Sequence, residues 1–341
     1  MVVKKSYQEI ASMCSAILEK LNVPVENSKI IADSLVKADL RGVESHGIAR
    51  MPAYTKRVKQ GLINPQAKYK IISEKNTSVV YEDENGFGQV IGNEAMNLAI
   101  KKTKESGMAI VSGCHTNHLG MLAYYVLNAI NQDMIAIMTS NAPPAMAPWG
   151  GHKALIGTNP FCVGIPAGKH LPIVVDMATS IVARGKVRLA IEKQENIPEG
   201  WALDENGNPT TDPTLALKGS VLPLGGVKGY CLAILVEILS GVLSGGNIFD
   251  KVKSSTDMSG PMDVGFFIQT IAINQFMDKD HFKARVDNLI EIVKQAPKAL
   301  GVSEIFLPGE IEFNIEKDRL ENGIPIKERI WNKIIDLSKE L

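Results

Sequence analysis

The chain has 341 residues, 45% hydrophobic and 22% charged, with 37 Lys plus Arg against 37 Asp plus Glu. This composition excludes a disordered chain, and zero net charge excludes the basic excess of a nucleic-acid binder. At about 150 residues per domain, the length predicts one large domain or two moderate ones. Cys14, Cys114, Cys162 and Cys231 are scattered without a repeating spacing, which points to a reducing, cytoplasmic compartment instead of a disulfide framework. The N-terminal MVVKKSYQEI lacks a signal-peptide core. The longest apolar run, residues 230–243, is broken by Glu237 and too short for a bilayer, so no membrane partner is expected.

In chain order, Ile10, Met13, Ile17 and Leu21 predict a first helix, and Ile30, Ile31, Leu35, Val36 and Leu40 a second. A third is expected over 48–61, ended by glycine and followed by Pro65. From about residue 70 the texture changes to short β-like runs at 70–73, 78–82, 108–111, 134–138 and 171–176, with a helix over 93–105. Residues 141–166 are rich in Pro and Gly and read as loop and irregular strand. Asp204-Glu-Asn-Gly-Asn-Pro209 reads as a hairpin turn. A buried helix is expected over 229–241, a more polar one over 279–296, and a last helix over 327–341 with Ile330, Ile334, Ile335 and Leu337 on one face, returning to the N-terminal helices. The expected division is a helical unit of 1–70 joined by about 312–341, and an α/β unit of 71–311.

Four stretches could carry chemistry. Gly86-Phe-Gly88-Gln-Val-Ile-Gly92 approaches a dinucleotide fingerprint, but its third glycine is one place late and no clean βαβ unit follows, so a structural turn is preferred. Cys114-His-Thr-Asn-His118 could ligate zinc, yet no second ligand pair has metal-site spacing. The better reading places His118 between a strand (108–112) and a helix (119–131), over a cleft; helix capping is the plain alternative. In Ser45-His46-Gly-Ile-Ala-Arg50-Met-Pro-Ala-Tyr54, helical spacing puts His46, Arg50 and Tyr54 on one face, suited to an anionic small molecule. A solvated polar face is the alternative there. Val175-Asp176-Met-Ala-Thr-Ser180, followed by Arg184 and Lys186, could meet a ribose or phosphate, or could be an ordinary strand-to-helix junction.

These stretches, with Asp39-Leu-Arg-Gly-Val-Glu-Ser-His, Asn117-His-Leu-Gly120, Ala147-Pro-Trp-Gly-Gly151, Gly157-Thr-Asn-Pro160, Leu222-Pro-Leu-Gly-Gly226, Lys228-Gly-Tyr230 and Leu307-Pro-Gly-Glu310, resemble the malate/L-lactate dehydrogenase family over nearly the whole chain. The resemblance implies a mixed α/β, non-Rossmann fold with helical N- and C-terminal segments around a larger α/β cofactor-binding portion. It also implies a homodimer and hydride transfer between a small 2-hydroxy acid and NAD or NADP, with NAD favoured. Malate is the favoured acid, with lactate and sulfolactate as further choices. A reductase of another 2-oxo acid, such as a diketo sugar acid, or a ureidoglycolate dehydrogenase is the nearest rival, and a zinc- or ligand-binding module the distant one. By matching motif, His118 and His46 are the acid/base pair, Ser45 supports His46, and Arg50 and Tyr54 face substrate. Asn141, Asp176, Met177, Ala178, Lys228, Gly229, Pro308, Gly309 and Glu310 are implied cofactor contacts, and no metal is implied. The sequence leaves both histidines open as proton carrier, with His118 preferred for following a strand. Cys231 stands where the family often has glycine. Lys186 replaces the acid of an imine-reducing branch, which argues against imine reduction.

Overall fold

A computed structural model describes residues 1–341. Strand β1 (Val2–Lys5) precedes helix α1 (Tyr7–Lys20), capped by the Ser6 side chain accepting from Glu9 N–H. Helix α2 (Val25–Leu40) follows a turn in which Asn22 takes φ 63°. The expected apolar stripes meet here: Ile10, Ile17 and Leu18 pack in one core with Ile31, Leu35 and Val36. Helix α3 (Met51–Lys59) is shorter than the spacing predicts. Two single 3₁₀ turns, Glu44–His46 and Ile48–Arg50, precede it and are separated by Gly47. The single helical stripe of His46, Arg50 and Tyr54 is therefore corrected. The Asp39 carboxylate accepts from Ile48 N–H, and Gly47 is extended at ψ −157°, which breaks the helix between them.

Strands β2 (Tyr69–Glu74) and β3 (Ser78–Asp83), helix α4 (Gly88–Ser106), strand β4 (Met108–Thr116), helix α5 (Ala123–Ile130) and strand β5 (Met134–Ser140) follow. Helix α4 starts five residues before the expected position, so Gly88 and Gly92 lie within its first turns and not in a loop. In the proline-rich region β6 (Pro144–Met146) and β7 (Ile156–Gly157) are short, whereas β8 (Phe161–Ile165) is a regular strand. Next come β9 (Ile173–Met177), α6 (Arg184–Lys193), β10 (Ala202–Leu203), β11 (Pro209–Thr210), α7 (Pro213–Lys218) and β12 (Ser220–Val221). The hairpin joins β10 to β11 as expected, with Asp204 accepting from Asn206 and Asn208 N–H. Helix α8 (Val227–Glu237) continues into a π-helical turn, Ile238–Val242. The buried helix expected here is half exposed: Leu235 is 51% and Val242 56% accessible. Strand β13 (Val264–Ala272), helices α9 (Lys279–Gln295) and α10 (Glu310–Asn322), strand β14 (Ile324–Lys327) and helix α11 (Glu328–Glu340) complete the chain.

Seven strands form the main sheet in the order β2-β3-β4-β13-β5-β8-β9. Only β3 and β4 run parallel; every other neighbouring pair is antiparallel. β13 lies at the centre, covered on both faces, with Phe266 and Ile268 fully buried. Strand β14 pairs with β1, and Trp331 and Ile334 of α11 join the core of α1 and α2. The last helix thus returns to the first two. No helix is long and apolar enough to cross a membrane.

Candidate active site

Two cavities meet at Ser45 and His46. The smaller, of about 440 Å³, is lined by His46, Arg50, His118, Arg184 and Arg188 among others. The larger, of about 760 Å³, runs past Asp176, Met177, Ala178, Lys186, Pro308 and Gly309. Both sizes fall in the ordinary range for small-molecule sites.

His118 follows β4, whose strand geometry carries the chain out to the cavity edge. Its ring stacks on His46, with centroids 5.2 Å apart and planes at 25°. His118 Nδ1 lies 2.8 Å from Tyr54 Oη, and His46 Nδ1 lies 2.9 Å from Ser45 Oγ. Burial, reinforced by the Arg50 guanidinium, pushes His46 down to about 3. Burial, Arg50 and His46 together hold His118 well below the usual histidine range. Both imidazoles are neutral near pH 7, and charging one disfavours charging the other.

Arg50 is fixed by donating from Nε to Ser45 O at 2.6 Å and from Nη1 to Ser255 Oγ at 3.4 Å. The Ser255 loop is in turn held by buried Arg57, which donates to Asp257 O and Gly260 O. Arg184 and Arg188 of α6 line the same cavity as Arg50, and no acidic side chain does. Arg184 donates to Pro144 O and Leu217 O, so an anion entering the cavity meets the guanidiniums of Arg50 and Arg188 and no competing carboxylate.

Several residues stand elsewhere than the sequence placed them. Tyr54 is 1% exposed and lies behind His118 instead of lining the cavity, because the broken helix turns its hydroxyl onto His118 and Gln89. Asn141 lines the smaller cavity, with its amide engaged by Asn247 O and Gly265 N–H. Asp176 stands in the groove with one oxygen accepting from Ala123 N–H. Glu310 lies outside the groove; it accepts from Leu307 N–H and pairs with Lys294, which steadies the turn carrying Pro308 and Gly309. Lys228 and Gly229 line neither cavity. Gly229 is buried where a Cβ would come within 2.4 Å of Leu224 backbone atoms, and Lys228 faces solvent.

The Gly86–Gly92 stretch also lines neither cavity, yet it supports the site. A Cβ on Gly88 would stand 2.5 Å from Asn117 O and 2.7 Å from His118 O. Cys114, His115 and His118 diverge: Cys114 faces Tyr81 O, His115 pairs with Asp263, and His118 meets Tyr54. Sequence reasoning missed Arg188, Ser255 and Gln89. Gln89 alone carried a signal, since it sits inside the glycine-rich stretch.

The malate/L-lactate dehydrogenase family description matches residues 5–335. The chain is 42% identical to an L-sulfolactate dehydrogenase of Methanocaldococcus jannaschii, covering 95% of this chain and 93% of that one. It is 39% identical to a malate/(S)-sulfolactate dehydrogenase of Methanothermus fervidus, over 98% and 97% of the two chains. Its fold superposes on a malate dehydrogenase of Entamoeba histolytica with a TM-score of 0.96 at 33% identity, covering 100% and 98%. The chain belongs to the malate/L-lactate dehydrogenase family, and it is a dehydrogenase of 2-hydroxy acids.

Proposed function

We propose that the enzyme acts on a small dianionic 2-hydroxy acid, malate or sulfolactate, in preference to lactate. The observation that carries this is the acid-free cavity holding Arg50, Arg184 and Arg188 beside two histidines. Arg50 holds the carboxylate next to C2, and Arg188, on the exposed side, takes the second anionic group. His118 accepts the hydroxyl proton in oxidation and returns it in reduction, while His46, steadied by Ser45, polarises the substrate oxygen. A nicotinamide bound in the adjoining groove supplies the hydride acceptor. Met177, Ala178, Pro308 and Gly309, which line the groove, would wall its site, and the largely antiparallel main sheet supports a non-Rossmann mode of binding.

NAD is the favoured form. The groove carries two carboxylates, Asp176 and Glu312, suited to ribose hydroxyls, against Lys186; Arg41, the other cation, pairs with Glu316. The outer face of α8 and its π-turn, with Val227, Leu235, Ile238 and Val242 exposed, is the proposed homodimer contact. The unpaired cysteines support a cytoplasmic setting, and the two-unit division of 1–70 with 312–341 against 71–311 is retained as a proposal. The test follows NADH and NADPH absorbance with oxaloacetate, sulfopyruvate, pyruvate, a diketo sugar acid and oxalurate. Oxaloacetate or sulfopyruvate should lead with NADH; equal or better turnover of pyruvate overturns the dianion reading.

A further inference from the structure

The second residue of α4 is a glutamine with no solvent contact. Gln89 is 0% exposed, and its Nε2 donates to Tyr54 Oη at 2.8 Å. Tyr54 Oη in turn lies 2.8 Å from His118 Nδ1, whereas Gln89 Oε1 has no hydrogen-bond partner. A phenol has one proton to donate. Because Tyr54 accepts from Gln89, it donates to His118 Nδ1, and the proton of the neutral ring then resides on Nε2. In that state Nε2 presents an N–H to the cavity and has no lone pair for a substrate proton.

The reverse polarity needs Nδ1–H donating to Tyr54 and Tyr54 donating onward. The acceptor is already beside it: a half-turn of the Gln89 amide exchanges Nε2 for the unpartnered Oε1. We propose that Gln89 is a positioning residue that sets, through Tyr54, which nitrogen of His118 carries the proton, its carbonyl oxygen supporting the imidazolium. The inference rests on His118 as the proton carrier. In oxidation, starting from the Nδ1–H ring, the substrate O–H bond breaks and its proton goes to the free lone pair of Nε2, while the C2 hydrogen with its electron pair would be taken up by a bound nicotinamide. The resulting imidazolium has both donors satisfied only with the amide oxygen towards Tyr54. In reduction Nε2 returns the same proton to the alkoxide, and the ring keeps its Nδ1 proton, donated to Tyr54, with the amide oxygen still towards Tyr54.

No electrostatic partner could replace this support. The groups facing His118 are His46 and Arg50 from the 3₁₀ turns and Tyr54 from α3, with Arg184 and Arg188 of α6 sharing the cavity. None is an acid, and burial already disfavours the charged ring. A hydrogen-bond relay is therefore the available means of supporting the imidazolium from behind.

The test compares Gln89→Glu and Gln89→Met with wild type, using ¹⁵N NMR of labelled histidine and the pH profile of kcat/KM for hydroxy-acid oxidation. Wild type without substrate should show the Nε2–H tautomer. Gln89→Met should change the His118 tautomer signal and lower kcat for oxidation about 10- to 100-fold, leaving KM and cofactor Kd within about twofold. The isosteric Gln89→Glu, able to accept from Tyr54, should move the acid limb up by about one pH unit. In a Tyr54→Phe background Gln89→Met should add less than about twofold, since the relay is already cut. Unchanged ¹⁵N shifts in either Gln89 variant, or multiplicative loss in the double variant, overturn the inference. An altered tautomer with an unaltered pH profile instead removes His118 as proton carrier, and the proposal with it.

Discussion

Gly47 leaves the space that the Asp39 carboxylate occupies. A Cβ on Gly47 would stand 2.0 Å from Asp39 Oδ1, while Asp39 Oδ2 accepts the Ile48 N–H at 2.8 Å. This contact ties the last turn of α2 to the 3₁₀ pair that presents His46 and Arg50. Gly47→Ala should therefore cost about 1–3 kcal/mol of stability, as overpacking does. It should also lower kcat at least about tenfold by displacing His46. Urea unfolding and steady-state kinetics check both, and a stable variant with full turnover would remove the seat from the mechanism.

The same carboxylate makes stability depend on pH. Asp39 is 5% exposed, and burial is the main cause that pushes it up to about 7. Between its unfolded value near 4 and about pH 7 the native state holds more protons than the unfolded chain, so this residue's contribution to stability falls as pH rises and levels off above 7. Asp39→Asn keeps an acceptor for Ile48 N–H and removes the charge. Relative to wild type it should gain on the order of 1–2 kcal/mol on going from pH 5 to pH 8. Urea midpoints across that range give the answer; a constant difference would mean that Asp39 is already ionised at pH 5.

Helices α1, α2, α9 and α11 were legible because each buries one periodic face against a neighbour. Strand β13 was not. It is covered on both sides, so Val264-Gly-Phe-Phe-Ile-Gln-Thr-Ile-Ala272 shows little of the alternation that marks a half-buried strand. Helix α10 buries no residue fully and is held by polar contacts, Arg319 to Asp39 O and Glu316 to Arg41, which leave no apolar pattern. At the site, residue types were legible and their arrangement was not. His46, Arg50 and His118 do line one cavity, but a helix break set by a carboxylate from α2 brings them there, and helical spacing does not contain that information.

Gly88 carries a related lesson. From sequence, Gly88 reads as part of a structural turn outside the cofactor site. Its φ is not positive; the glycine is required by the approach of α4 to the Asn117 and His118 carbonyls. Gly88→Ala must push that backbone away, so kcat should fall about tenfold or more while cofactor Kd stays within about twofold. Fluorescence titration beside kinetics separates the two, and a selective loss of cofactor affinity would return the stretch to the cofactor site.

Arg50 and Arg188 should fail in different ways. Arg50 is held at Nε and Nη1 by Ser45 O and Ser255 Oγ, so its guanidinium is preset in the cavity it shares with His46, where a carboxylate next to C2 belongs. Lysine keeps the charge but not the planar fork, so Arg50→Lys should lower kcat/KM about 10- to 100-fold for oxaloacetate and pyruvate alike. Arg188 is exposed and lines the cavity from α6, where only a substrate with a second anionic group can use it. Arg188→Met should thus reduce kcat/KM for oxaloacetate or sulfopyruvate about tenfold and leave pyruvate within about twofold. Because Arg188 is open to solvent, the wild-type preference for the dianion should shrink as salt is raised from about 0.05 to 0.5 M, and the variant should show little such dependence. The measurement is the ratio of kcat/KM values for oxaloacetate and pyruvate, in both proteins and at both salt concentrations. An equal loss for both acids would place Arg188 beside the C2 carboxylate instead, and no loss for either would take the second anionic group away from α6.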